Sequence, residues 1–148
     1  MFRNILLATD GSPASTPAAE LAVGLARTHG ARLVALYVID PYPYLGVGEA
    51  SAVGFQAYMA SAYEHASAAH ARVQALCATG DPVDLQLRRI EDASAPEGIL
   101  QAARDESADL VVVGSHGRSG LQRLMVGSVA ARVVAQSPVP VLVARGHA

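Results

Sequence analysis

The chain has 148 residues, 51% hydrophobic and 16% charged, which suits one domain with a real core and excludes a disordered chain. A formal net charge of -2 offers no basic surface for nucleic acid. The single cysteine, Cys77, excludes an internal disulfide and a Cys-rich zinc site, and all 11 basic residues are arginine, which excludes a P-loop lysine, a Schiff-base lysine and a lysine general base.

The first element is a buried strand over Arg3 to Thr9. Asp10-Gly11-Ser12-Pro13 ends it, and Ser12 as N-cap with Pro13 at the first helical position starts a helix. Apolar spacing at Ala18, Leu21, Ala22, Leu25 and Ala26 carries that helix to a Gly30 stop. Leu33 to Val38 is the second strand. Asp40 to about Gly54 has no clear period and reads as a long loop, either functional or a variable surface insertion. From about Tyr58 to Ala78 an alanine-rich helix presents Ala62, Ala66, Ala69, Val73 and Leu76 on one face.

After Gly80-Asp81-Pro82, the alternation from Val83 to Arg88 predicts an edge strand with polar residues outward. Ser94-Ala95-Pro96-Glu97 has the form of a capping box and opens a helix through Ile99, Leu100 and Ala103. Asp109 to Val113 is a buried strand and Val129 to Val134 a helix with Ser128 as its cap. Ser137-Pro138 ends that helix, and Val139-Pro140-Val141-Leu142-Val143 is the fifth strand. No apolar run reaches the ~20 residues of a membrane helix. Asp10 and Gly11 interrupt the opening run too early for a secretory signal, so a cytoplasmic protein with no membrane partner is expected.

Strands alternating with helices predict an α/β fold, an open doubly wound five-stranded parallel sheet with helices on both faces. In such a sheet ligands bind beyond the C-terminal strand ends, where the strand order reverses. If that order is 3-2-1-4-5, the loops at Asp10 and Gly114 face each other. The second loop carries Gly114-Ser115-His116-Gly117, then Gly127-Ser128. Bare amides at a glycine-rich loop and at a helix N-terminus form an anion site, and glycine lets a phosphate approach the backbone. The alternative is that these glycines only make tight turns. The dinucleotide fingerprint G-x-G-x-x-G and the nucleophile elbow G-x-S-x-G are both absent.

Other residues keep two readings. Asp10 could bind a ribose, hold a metal through water, or cap the first helix. His116 could donate to phosphate or act as acid or base, or be a passive loop residue. Arg118 and Arg123 could neutralise phosphates or be ordinary surface arginines. His29, His65, His70 and His147 show no metal-ligand spacing, and no catalytic residue is assigned. The apolar fifth strand, as an edge, invites pairing with a second copy, unless the preceding helix or Pro140 protects it.

Taken together, Ile5-Leu6-Leu7-Ala8-Thr9-Asp10-Gly11-Ser12, Asp109 to Arg118, Gly127-Ser128-Val129 and Pro138 to Val143 resemble a universal stress protein. The glycine spacing G-x2-G-x9-G-S is that of the family's ATP-binding branch, and the resemblance covers nearly the full length, implying one nucleotide-binding domain over residues 1–148. It implies a 3-2-1-4-5 sheet, a homodimer through Val139–Val143, and ATP, with or without Mg²⁺, in the crevice. Ala8, Thr9 and Asp10 would meet adenine and ribose, with Val38 lining the adenine pocket. Val113, Gly114, Ser115, Gly117, Gly127, Ser128 and Val129 would surround ribose and phosphates, with His116 and Arg118 beside them.

The implied function is that of a nucleotide-dependent stress-response or regulatory module. Two alternatives remain. One is a slow ATPase or a nucleotide-transferring enzyme of the adenine-nucleotide α-hydrolase type, whose Ser-Gly-Gly-x-Asp-Ser loop is replaced here by Asp10-Gly11-Ser12-Pro13. The other is a ligand-free dimeric interaction module.

Overall fold

The structure, a computed structural model, describes residues 1–43, 49–116 and 126–146. Its strands are β1 (Asn4–Ala8), β2 (Arg32–Ile39), β3 (Asp84–Glu91), β4 (Leu110–Gly114) and β5 (Val141–Ala144). Its helices are α1 (Thr16–His29), α2 (Glu49–Ala78), α3 (Ala95–Asp105) and α4 (Ser128–Gln136). The strands form one parallel sheet in the order β3-β2-β1-β4-β5, with Leu6 opposite Val34 on one side and Val111 on the other.

The pleat divides the core into two layers. Ile5, Leu7, Leu33, Ala35 and Val112 point to α1 and to Val73 of α2. Leu6, Val34, Leu36, Val111 and Val113 point to α3 and α4. Because both faces are covered, the central strands are apolar throughout rather than alternating. Each fully buried Ile, Leu or Val contributes about 1.5–3 kcal/mol. The weight of the core therefore rests on β1, β2 and β4. On α2, Ala62, Ala66 and Ala69 are buried against Tyr37 and Ile39, where small side chains let the helix lie close to the sheet.

Several boundaries differ from the sequence reading. Helix α2 begins at Glu49, so the segment expected to be loop as far as Gly54 is already helical there. Tyr42 explains part of this. It packs edge-on against Phe55 and tilted against Tyr58, and Gly54 leaves room for its hydroxyl where a Cβ would clash. The Ser12 hydroxyl does not cap; Ser12 precedes a 3-10 turn, Pro13–Ser15, that leads into α1. The capping box at Ser94 does not form either, for Ser94 makes no side-chain cap bond and Glu97 reaches across to Arg132 of α4 at 3.8 Å. Gly127, not Ser128, is the N-cap of α4. Strand β5 starts at Val141, after Pro140, whose carbonyl accepts from the Val111 amide at 3.0 Å. Gly30 does end α1 in the left-handed region, with φ 62°. Among the described residues no helix is long and apolar enough to cross a membrane.

Candidate functional site

Strand order reverses between β1 and β4, and a cleft of about 240 Å³ opens there beyond the strand ends. Its floor comes from Ala8, Thr9 and Asp10 after β1, and from Val113 and Gly114 at the end of β4. Leu36, Val38 and Asp40 of the β2 end form one wall, with Ala95 and Ile99 of α3 beside them. His116, Gly127, Ser128 and Val129 close the other side.

The loop after β1 is held by its own short polar side chains. Asp10 Oδ1 accepts from the Ser12 amide at 2.9 Å and from the Ser12 hydroxyl at 2.6 Å. Thr9 Oγ1 accepts from the Gly11 amide at 3.2 Å, and Ser15 Oγ donates to the Ser12 carbonyl at 2.6 Å. Gly11 sits at φ 76°, which favours glycine, and packs on Ala69 of α2. The Arg72 guanidinium donates to its carbonyl. Asp10 thus shapes the turn and lines the cleft at once, so its two sequence readings are compatible.

The loop after β4 gives two glycines a reason that the sequence did not supply. A Cβ on Gly127 would stand 2.9 Å from the Ser115 carbonyl oxygen, and one on Gly114 would stand 3.2 Å from the His116 carbonyl oxygen. The loop's own backbone packs on itself, so a side chain would force a shift at Gly127 and a tight contact at Gly114, with or without a ligand. Gly127 N–H donates to Ser115 O at 2.6 Å, and Ser115 N–H to Ala144 O at 2.8 Å. Those two amides therefore serve the fold and are not bare. The amides of Ser128, Val129 and Ala130 differ. The first α4 bond from this end runs from Ala131 N–H to Gly127 O, and among the described residues no side chain caps the helix. The first turn of a helix leaves such amides without intrahelical partners, and all three residues line the cleft.

Strand register fixes one more pair of polar groups. The Leu36 carbonyl accepts from Thr9 N–H at 3.0 Å, on the β1 side, and the Ile39 carbonyl from Ala93 N–H at 3.5 Å, on the β3 side. Bonding direction alternates along a parallel strand, so Val38 turns its N–H and C=O to the β1 side. Pairing with β1 ends at Ala8 opposite Leu36. The Val38 main chain thus faces the cleft.

Ten of the sequence-expected residues line this cleft: Ala8, Thr9, Asp10, Val38, Val113, Gly114, His116, Gly127, Ser128 and Val129. Ser115 does not; it is 3% exposed, and its hydroxyl lies 3.1 Å from His116 Nδ1, beneath the cleft wall. Gly117, Arg118 and Arg123 lie outside the described residues. Ser15, Leu36, Tyr37, Asp40, Ala95, Ile99 and Ala130 line the cleft unforeseen. Asp40, directly after β2, was within reach of the strand-end rule. Ala95 and Ile99 were not, because only the docking of α3 brings them there. Among the described residues no group of three or more His, Cys, Asp or Glu is placed to hold a metal ion.

A parallel sheet in this order, with a crevice at its reversal point, places the molecule among the doubly wound α/β proteins. The chain belongs to the universal stress protein family, whose model matches residues 1–145. It is 39% identical over 146 residues to a Thermus aquaticus protein described as the universal stress protein in the QAH/OAS sulfhydrylase 3' region, covering 98% of this chain and all of that one. The universal stress protein UspA from Lactobacillus plantarum superimposes with a TM-score of 0.81 at 31% identity, over 97% of each chain. A universal stress protein crystallised in complex with cAMP superimposes with a TM-score of 0.69 at 25% identity, over 99% of each chain.

Proposed function

We propose that this protein binds an adenine nucleotide, ATP first among them, in the cleft between β1 and β4, and that it works as a nucleotide-responsive regulatory module of the stress response. The observation that carries this reading is the pairing of two features across one cleft: a main-chain donor and acceptor at Val38 turned to the β1 side, and the N-terminus of α4 at Ser128, with Gly127 as its N-cap. Adenine presents an acceptor at N1 beside a donor at N6, which matches one residue's N–H and C=O. Ala8, Leu36, Ile99 and Val113 supply the apolar surface for a base. Asp10, which lines the cleft, would accept from ribose hydroxyls.

The phosphates belong at α4. Three amides pointing along a helix axis, together with the helix dipole, favour an anion there. The volume of about 240 Å³ sits a little under the roughly 300–1,000 Å³ usual for small-molecule sites, which suits one nucleoside and leaves the phosphates at the mouth. The cAMP complex of a relative supports an adenine nucleotide as the ligand class. Nothing in the cleft points to a reaction as strongly as it points to binding, so His116 is read as a neighbour of the phosphates rather than a catalyst.

Calorimetry with ATP, ADP and AMP, with and without Mg²⁺, tests the reading. Dissociation constants on the order of micromolar, about -8 kcal/mol, without phosphate release are expected. Steady phosphate release that disappears in His116→Ala would replace the module by an enzyme. No binding of any adenine nucleotide would leave a ligand-free interaction module.

A further inference from the structure

A second chamber of about 190 Å³ adjoins the cleft. The two share Tyr37, Val38 and Asp40, and the second is completed by Tyr58, Ser61 and His65 of α2. Its rim is fixed, because the Tyr58 hydroxyl donates to the Asp40 carbonyl at 2.8 Å. Its back is packed, with Ala62 and Ile39 buried in the core. The β2 end thus has space on both sides of Val38 and Asp40.

Chain polarity says which part of a base would face that space. Within one residue the carbonyl lies C-terminal to the amide. A base whose N1 accepts from Val38 N–H therefore places its exocyclic amine beside Val38 C=O, toward Asp40. One amine hydrogen bonds to that carbonyl. The other points past it, to the Asp40 end of β2, where the second chamber begins.

Resting on the adenine reading above, we infer that the second chamber is a subsite for a substituent on the exocyclic amine, and that the protein accepts N6-substituted adenine nucleotides. A secondary amine keeps the single hydrogen that Val38 C=O needs, so substitution costs no hydrogen bond there. An apolar cavity of about 150 Å³ accommodates a benzene ring, and the chamber, at about 190 Å³ and lined by Tyr58 and His65 among others, has the volume for a benzyl group. The ligand class is an adenine nucleotide carrying one alkyl or arylalkyl group at N6. A dialkylated amine, which has no hydrogen left, is excluded.

The test compares ATP, N6-benzyl-ATP and N6,N6-dimethyl-ATP by calorimetry on the full chain. N6-benzyl-ATP should bind within about threefold of ATP, and the dimethyl compound at least about tenfold more weakly. Ser61 is exposed and lines only the second chamber, so Ser61→Trp should fill the chamber without disturbing the fold. It should weaken N6-benzyl-ATP at least about tenfold and leave ATP unchanged. Exclusion of N6-benzyl-ATP by the wild-type protein, or equal weakening of both ligands in Ser61→Trp, would overturn the inference while the ATP reading stood. Failure of ATP itself to bind the wild-type protein would overturn both.

Discussion

Gly98 lies directly beneath Val38: a Cβ on Gly98 would meet both Val38 methyl carbons at 2.8 Å. Helix α3 thus carries its one glycine where it crosses the strand residue that faces the cleft. Two effects oppose each other in Gly98→Ala. Alanine favours a helix interior over glycine by about 1 kcal/mol, while overpacking costs about 1–3 kcal/mol. The expected outcome is a small net loss of stability, about 0–2 kcal/mol in urea unfolding. Nucleotide affinity should fall alongside it, because Val38 must shift into the cleft. A variant with wild-type affinity would show that Val38 does not set the base pocket.

Gly127→Ala tests the self-packed loop. The added carbon would stand 2.9 Å from the Ser115 carbonyl oxygen, and that carbonyl is the acceptor for the Gly127 amide. The turn must open or the bond must lengthen. Destabilisation of about 1–3 kcal/mol is expected, read by urea or thermal unfolding in the absence of any ligand. Unchanged stability would return Gly127 to the simpler role of letting a ligand approach.

His70 makes stability depend on pH. It lies on α2 against β2 and β3, and its Nε2 is buried without a hydrogen-bond partner among the described residues. Burial pushes its pKa below the ordinary 6.5; the carbonyls of Ala35 and Arg88 oppose the shift and Arg89 adds to it. The fold therefore disfavours the charged ring. Above pH about 6.5 the ring is neutral in both folded and unfolded chains, and nothing is lost. As pH falls below that, the unfolded chain takes up the proton first, and stability declines until the folded ring also titrates. His70→Gln should flatten that part of the urea-midpoint profile between pH 7.5 and pH 5. A profile that keeps the wild-type slope would assign the effect to another histidine.

The open edge of β5 yields a prediction about assembly. The carbonyls of Pro140 and Ala144 turn to β4, so by the alternation of a parallel strand Val141 and Val143 direct their N–H and C=O groups to the free edge. Proline is tolerated on an edge strand where its missing N–H would have faced outward. If copies of the chain pair through β5, Val143→Pro should yield monomers in analytical ultracentrifugation at concentrations where the wild-type protein is dimeric. Its unfolding midpoint at high dilution should barely move. A Val143→Pro dimer would place any self-association elsewhere.

Much of this architecture follows from patterns short enough to read along the chain. The apolar runs at Ile5–Leu7, Leu33–Leu36 and Leu110–Val113 read as buried strands, and the polar, glycine-bearing ends at Asp10 and Gly114 fall at the reversal point once the order 3-2-1-4-5, which the resemblance implied, is taken. Local chemistry sufficed because each of these signals is complete within a few residues. What the tertiary structure alone decided is how those local groups spend their hydrogen bonds. The amides of Ser115 and Gly127 are consumed by Ala144 and Ser115, the hydroxyl of Ser12 goes to Asp10, and Glu97 leaves its expected cap for Arg132. Ala95 and Ile99 reach the cleft only through the packing of α3 across the strand ends. Such partners are far apart in sequence or compete with local ones at nearly equal energy, and only the docked helices decide between them.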